Sequence, residues 1–193
     1  MTDSNAVGAN VSIALLHYPV YDKNRQVVAS AVTNLDIHDI ARAARTFGLF
    51  RYYVVTPVSG QREMVERISR HWREGWGATY NPKRKAALEL LAVTSSLDDA
   101  IHELAEEFGK PVKIVMTGAG NHPRSVTCAD FAALIKDSGQ PYLLVFGTGW
   151  GLTEEVFAWA DIILEPVKGP GVYNHLSVRS AVAIILDRLL GKR

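Results

Sequence analysis

The chain has little of what most catalytic and cofactor classes need. A single cysteine, Cys128, in 193 residues excludes an internal disulfide and leaves no Cys-x-x-Cys pair for redox or metal work. Its expected role is a small buried hydrophobe in a reducing cytoplasm. Six histidines are scattered without ligand spacing, so no metal is expected. No apolar run approaches the roughly 20 residues that span a bilayer, so no membrane partner is expected. No Lys or Arg precedes Lys23, so the start lacks the charged region of a signal peptide and the expected location is cytoplasmic. Neither sign of charge dominates, with 21 basic against 20 acidic residues, and the net +1 is silent about nucleic acid. The absence of a GxxxxGK[ST] loop argues against a nucleoside triphosphatase. The absence of GxGxxG after the first strand argues against an NAD-dependent oxidoreductase. Gly118-Ala119-Gly120 only approaches that fingerprint, because Pro123 stands where a third glycine would fall and no helix opens there.

What is present is a regular alternation of short apolar runs and amphipathic segments. Hydrophobic residues make up 48% of the chain, ample for a core, and no repeat, low-complexity tract or linker interrupts it. One domain over residues 1–193 is expected, with Met1 to Asn10 a frayed terminus. The spacing predicts strands at Val11–Tyr18, Phe50–Val55, Leu90–Thr94, Val112–Met116, Tyr142–Phe146 and Ile162–Leu164. A helix from Thr33-Asn34-Leu35-Asp36 to Gly48, capped by Asn34 or Asp36, would bury Ile37, Ile40, Ala41, Ala44 and Phe47. A second, near Gly60 to Arg73, would bury Met64, Val65, Ile68 and Trp72. Ser96 and Asp99 form a capping box for a third, whose acidic residues Asp98, Asp99, Glu103, Glu106 and Glu107 turn it to solvent. A fourth runs from about Thr127 to Lys136. Strands alternating with helices imply an α/β fold, a mostly parallel sheet with helices on both faces.

The chemistry is expected in Pro141 to Leu190. Gly147-Thr148-Gly149-Trp150-Gly151 and Glu165-Pro166-Val167-Lys168-Gly169-Pro170-Gly171 each follow an apolar run, and ligands of open α/β sheets sit at such strand ends. Glycines after strands are equally at home in an ordinary α/β core. The last helix carries an apolar run from Ala181 to Leu186, which calls for burial on both sides, by its own sheet and by a partner.

The segments LHYPVYDK, NLDIHDIARAARTFG, HWREGWGATYNP, FGTGWGL, ILEP and YNHLSVRSAVAIILDRL together resemble the SPOUT class of S-adenosylmethionine-dependent RNA methyltransferases. The likeness spans essentially the whole chain. It is nearest to a small family found alone or fused behind bacterial tRNA guanine-N1 methyltransferase. The resemblance implies a C-terminal trefoil knot and a cofactor held by Thr117 and Gly118, by Gly147, Thr148 and Gly149, by Leu164, Glu165 and Pro166, and by Leu176, Ser177 and Val178. It implies a homodimer through the C-terminal helix. NLDIHDIARAARTFG is similar to the first motif of the TrmH-like branch, in which an arginine before a Phe-Gly pair serves catalysis; Arg42 matches it. His175-Leu176-Ser177 stands where that branch has Ser-Leu-Asn, so ribose 2′-hydroxyl and base nitrogen both stay open as targets. S-adenosylmethionine has no phosphate, so loops rich in glycine and proline suit it better than a phosphate cradle. A side chain at Gly149 is expected to enter the pocket.

From Gln61 to Lys85, the basic residues Arg62, Arg67, Arg70, Arg73, Lys83, Arg84 and Lys85 face Glu63, Glu66 and Glu74, a local +4 against −3 for the rest. Trp72, Trp76 and Tyr80 are interleaved with them, as on surfaces that bind unpaired nucleotides. A solvated helix with Trp72 in the core accounts for the same pattern. The expected partner is a structured RNA, tRNA or rRNA. The competing reading is a non-catalytic RNA-binding or cofactor-binding module that partners a tRNA methyltransferase.

Overall fold

Six buried residues in a row, Val11–Leu16, form the first strand, β1, and such a run is stable only when both faces of its sheet are covered. The computed structural model describes residues 9–192, so most of the segment expected to fray lies outside it. Asn10 at its end is tied into the sheet, its carbonyl accepting from Tyr142 N at 2.8 Å and its amide donating to Gln140 O at 2.7 Å. The remaining strands of the main sheet are β4 (Arg51–Val55), β5 (Leu91–Thr94), β6 (Lys113–Met116), β7 (Ser125–Val126), β8 (Tyr142–Gly147) and β9 (Ile162–Leu164). Their order is β5-β4-β1-β8-β6-β9-β7, and every pairing in it is parallel. A short antiparallel hairpin, β2 (Val20–Tyr21) with β3 (Val27–Val28), stands after β1 and was not read from the sequence.

The helices are α1 (Asn34–Thr46), α2 (Ser59–Arg73), α3 (Trp76–Tyr80), α4 (Pro82–Leu88), α5 (Leu97–Phe108), α6 (Cys128–Ser138), α7 (Glu154–Phe157) and α8 (Val178–Leu190). Alternation along β1 separates two cores. Val11, Ile13 and Leu15 face α1, α6 and α8, while Ala14 and Leu16 face the side covered by α5 and α7. The mostly parallel sheet covered on both faces is therefore borne out. Thr33, not Asn34 or Asp36, caps α1: its backbone is extended, its hydroxyl accepts from Asp36 N and donates to Asp36 Oδ2, and the other carboxylate oxygen, Oδ1, is left for a distant partner. The capping box of α5 forms as expected, and Gly109 ends that helix with φ +63°.

After β6 the chain runs to the far edge at β7, returns through α6 to β8 on the other side of β6, then crosses again to β9 between β6 and β7. From there α8 comes back over the face already holding α1 and α6 and lies against both. Val182, Ile185, Leu186 and Leu189 are buried in that seat, whereas Ala183 is exposed and Ile184 half-buried on the outer side. Within one chain α8 is covered on one side only.

Candidate functional site

Because the sheet is parallel, the carboxyl ends of β1, β6, β8 and β9 open onto one edge, and the loops leaving them enclose a cleft of about 1250 Å³. Thr117 and Gly118 reach it from β6, Gly147, Thr148 and Gly149 from β8, and Leu176, Ser177 and Val178 from the start of α8. The structure thus brings these expected cofactor residues together. Of the expected set from β9, Leu164 and Pro166 are buried outside the lining, and Glu165 Oε1 accepts from Cys128 N at the start of α6, 3.0 Å away. Ile163 and Val167 line the cleft there instead.

The glycine loop is shaped by its own neighbours. Gly149 adopts φ +58°, and a Cβ on it would lie 2.8 Å from Tyr21 O. A side chain at Gly149 would therefore strike the β2 backbone rather than enter the cleft, correcting the expectation from sequence. That backbone is already engaged, since Trp150 N donates to Tyr21 O and Tyr21 N to Gly151 O, both at 2.9 Å. At Gly147 a Cβ would meet Leu152 Cγ at 2.8 Å. Gly118 differs, because a Cβ there would meet only the tip of Phe157, at 3.3 Å.

Under the glycine loop, a hydrogen-bonded chain that sequence reasoning missed runs from the half-buried Thr148 and Ser30 to the buried His17. Thr148 Oγ1 donates to Leu16 O at 3.0 Å, so the one hydrogen between Ser30 Oγ and Thr148 Oγ1, 2.5 Å apart, belongs to Ser30. His17 Nδ1, 2.9 Å from Ser30 Oγ, must then be the protonated nitrogen. His17 is fully buried and its Nε2 has no partner among the described residues. Burial lowers its pKa from 6.5 to about 4, against the opposing pull of the Asp36 carboxylate and the Ala31 carbonyl.

The other missed feature is a charged pair inside the cleft. Arg179 Nη1 donates to Asp36 Oδ1 at 2.7 Å, and Arg179 Nε lies 3.6 Å from Asp39 Oδ2. Both Asp36 and Arg179 line the cleft, joining the starts of α1 and α8. Asn174 Nδ2 donates to Ala119 O at 2.8 Å and ties the β9–α8 loop to the β6 loop. Two of the expected cofactor residues have local duties: Ser177 Oγ caps α8 by accepting from Ser180 N, and Thr117 donates its hydroxyl to Val145 O.

Arg42 is exposed on α1 and does not line its own chain's cleft; its guanidinium makes no hydrogen bond or ion pair among the described residues. The basic segment lies on α2 and α4, also outside the cleft. Arg67, Arg70, Arg73 and Lys83 are exposed and Lys85 half-buried. Arg62 Nη1 instead donates to Thr56 O at 2.9 Å, and the Arg84 guanidinium covers the Trp72 ring at 4.4 Å from its centroid. Trp72 is half-buried, with the edges of His38 and His71 against it. Burial, and then the neighbouring Arg84, lower the pKa of His38.

A parallel α/β sheet with a glycine-lined, largely apolar cleft over its strand ends is the arrangement of an α/β protein with a small-molecule site at the carboxyl ends of its strands. Residues 10–191 match the sequence model of a family described as SAM-dependent RNA methyltransferase, and the chain belongs to that family. It is 39% identical to an uncharacterised protein of Aquifex aeolicus (strain VF5) over 96% of this chain and 91% of that one. It is 44% identical to a tRNA (guanine-N(1)-)-methyltransferase of Nitratidesulfovibrio vulgaris (strain Hildenborough) over 97% of this chain, but spans only 43% of that protein. Its fold is like that of the SpoU methyltransferase AviRb from Streptomyces viridochromogenes, solved in complex with the cofactor AdoMet. There the TM-score is 0.61 at 16% identity, covering 98% of this chain and 61% of the other. The SPOUT resemblance read from the sequence is borne out, and with it an S-adenosylmethionine-dependent RNA methyltransferase. Among the described residues no helix is long and apolar enough to cross a membrane, and no cluster of three His, Cys, Asp or Glu is placed to hold a metal.

The residues present fit the cofactor. Phe146, Leu152, Phe157 and Ile163 give the cleft an apolar floor, and the loops at 117–120 and 147–151 bring backbone close to it. Bound there, S-adenosylmethionine supplies an electrophilic methyl group.

Proposed function

We propose that this chain transfers a methyl group from S-adenosylmethionine to a nucleotide of a structured RNA, tRNA or rRNA, in the cytoplasm, as a homodimer of single-domain subunits threaded as a trefoil knot. The observation that carries the reading is the convergence of the β6, β8 and α8 loops on one cleft. Thr117, Gly118, Gly147 to Gly149 and Leu176 to Val178 hold the cofactor, with Leu164 to Pro166 as the wall behind. Transfer needs the nucleophile, methyl and sulfur in line, and a group that orients the nucleophile or takes its proton. Arg42 fills that role through its forked donors. Its place outside its own cleft, on the helix packed beside the half-covered α8, supports action on the partner's cleft across an α8 interface.

The cations left free on α2 and α4, namely Arg67, Arg70, Arg73, Lys83 and Lys85, hold the RNA backbone. If all five meet phosphates, log K falls against log salt with a slope of roughly −3.5 to −4.5. The test is incubation of the protein with labelled S-adenosylmethionine and RNA from a strain lacking it, followed by nucleoside mapping. Label in one defined nucleoside, lost in Arg42→Ala, is the expected result. Tight RNA binding without transfer under any condition would make the chain a binding module instead.

A further inference from the structure

Trp76 and Tyr80 are among the most exposed large apolar side chains of the described chain, at 69% and 68%, and they stack on each other with ring centroids 4.7 Å apart and planes within 20°. Each ring has one face on its neighbour and leaves the other open. Their orientation is imposed by the backbone beneath. Gly77 is buried, and a Cβ on it would lie 2.7 Å from Trp72 Cε3, so only glycine lets α3 sit down on α2. At Gly75 a Cβ would meet His71 O at 2.8 Å. On the other side Asn81 caps α4, its Oδ1 accepting from Arg84 N at 3.0 Å, and Pro82 opens that helix. Glycine contacts at one end and a cap with proline at the other hold a five-residue helix whose positions 76 and 80 point outward together.

The surroundings are cationic. Arg70 and Arg73 end α2 just before the pair and Lys83 follows it, all exposed, within the segment of local charge +4. Protein interfaces deplete lysine around their aromatic anchors, whereas surfaces for unpaired nucleotides combine open rings with cations, lysine included, along the phosphate path, and Lys83 is an exposed lysine here. Neither ring lines the cleft.

We propose that the Trp76–Tyr80 pair is a stacking platform for unpaired bases of the RNA, a second contact outside the methyl-transfer cleft, with Arg73 and Lys83 taking the flanking phosphates. The proposal rests on the reading of RNA as substrate. Affinity for a short dye-labelled oligouridylate and for a blunt RNA duplex is measured by fluorescence anisotropy for the wild type, Trp76→Ala/Tyr80→Ala and Trp76→Phe/Tyr80→Phe. The alanine pair weakens oligouridylate binding by between about fivefold and a hundredfold, with the salt slope and duplex affinity unchanged, and the phenylalanine pair restores most of the loss. An oligouridylate affinity in the alanine pair within about twofold of wild type would overturn the proposal, as would equal losses for oligouridylate and duplex, or no binding of oligouridylate by the wild type. Loss of self-association in the alanine pair with unchanged oligouridylate binding would put a second copy of the chain on the rings and overturn it too. Transfer of label by the wild type with ring-independent oligouridylate binding removes the platform and leaves methyl transfer standing. Ring-dependent binding with no transfer removes the enzyme and leaves the platform.

Discussion

Lowering the pH should destabilise this protein through one imidazole. His17 takes no proton in the fold until about pH 4, while the unfolded chain takes one near 6.5. Below 6.5 the unfolded state therefore binds more protons, and stability falls as pH drops toward 4. At about 1.4 kcal/mol per pH unit, the gap corresponds to roughly 2 kcal/mol lost by pH 5 and about 3 by pH 4, relative to pH 8. Full burial means that solvent screening does little to reduce this. The cause is structural as well as dielectric. Nδ1 already donates to Ser30, and Nε2 is buried with no hydrogen-bond partner among the described residues, so the pull of the Asp36 carboxylate and the Ala31 carbonyl does not offset burial. In His17→Asn the side-chain amide can keep the donor to Ser30 but cannot titrate. Urea unfolding at pH 8 and pH 5 reads the effect. The variant starts less stable by about 1 kcal/mol or more, as core substitutions are, yet loses about 2 kcal/mol less than wild type on acidification. Parallel losses in the two proteins would refute the reasoning, as would a His17 ring proton that titrates near pH 6.5 by NMR. Because Ser30 and Thr148 line the cleft and the folded His17 stays neutral down to about pH 4, cofactor affinity of the folded protein should hold through pH 5 and fall only as pH approaches 4.

Two further outcomes follow from the same geometry. Gly149→Ala should lose roughly 1–3 kcal/mol of stability by urea unfolding, from the left-handed backbone and the contact with Tyr21 O; Gly118→Ala, which meets only a flexible ring tip, should stay within about 0.5 kcal/mol and alter cofactor affinity alone, as calorimetry would show. Arg179→Met leaves the Asp36 carboxylate buried without its cation and should cost about 3 kcal/mol, most of it recovered in Asp36→Asn/Arg179→Met, so a double-mutant cycle showing simple additivity would contradict the pairing.

Local chemistry was the legible part. Apolar runs without alternation marked the long parallel strands, and the 3.6-residue spacing of Ile37, Ile40, Ala41 and Ala44 marked α1, because each signal needs only its own neighbours. No element was read from the sequence between Arg73 and Leu90, because Gly75, Gly77, Asn81 and Pro82 interrupt any helical spacing there; in the fold each glycine makes room for a close contact with α2 and the Asn-Pro step starts α4. The interior of the site was less legible for a different reason. Ser30 meets Thr148 across 118 positions and Arg179 meets Asp36 across 143, and no local pattern encodes such distances. Asp36 carried a sufficient local reading as a helix cap, so nothing in the sequence demanded a partner. Only once Thr33 is seen to cap α1 does a buried carboxylate remain to be neutralised, and the cation that answers it lies inside the NHLSVRS segment, whose resemblance pointed to cofactor contacts alone. A side chain with a satisfying local role can hide a long-range one, and at this site the hidden role joins the first helix to the last across the cleft.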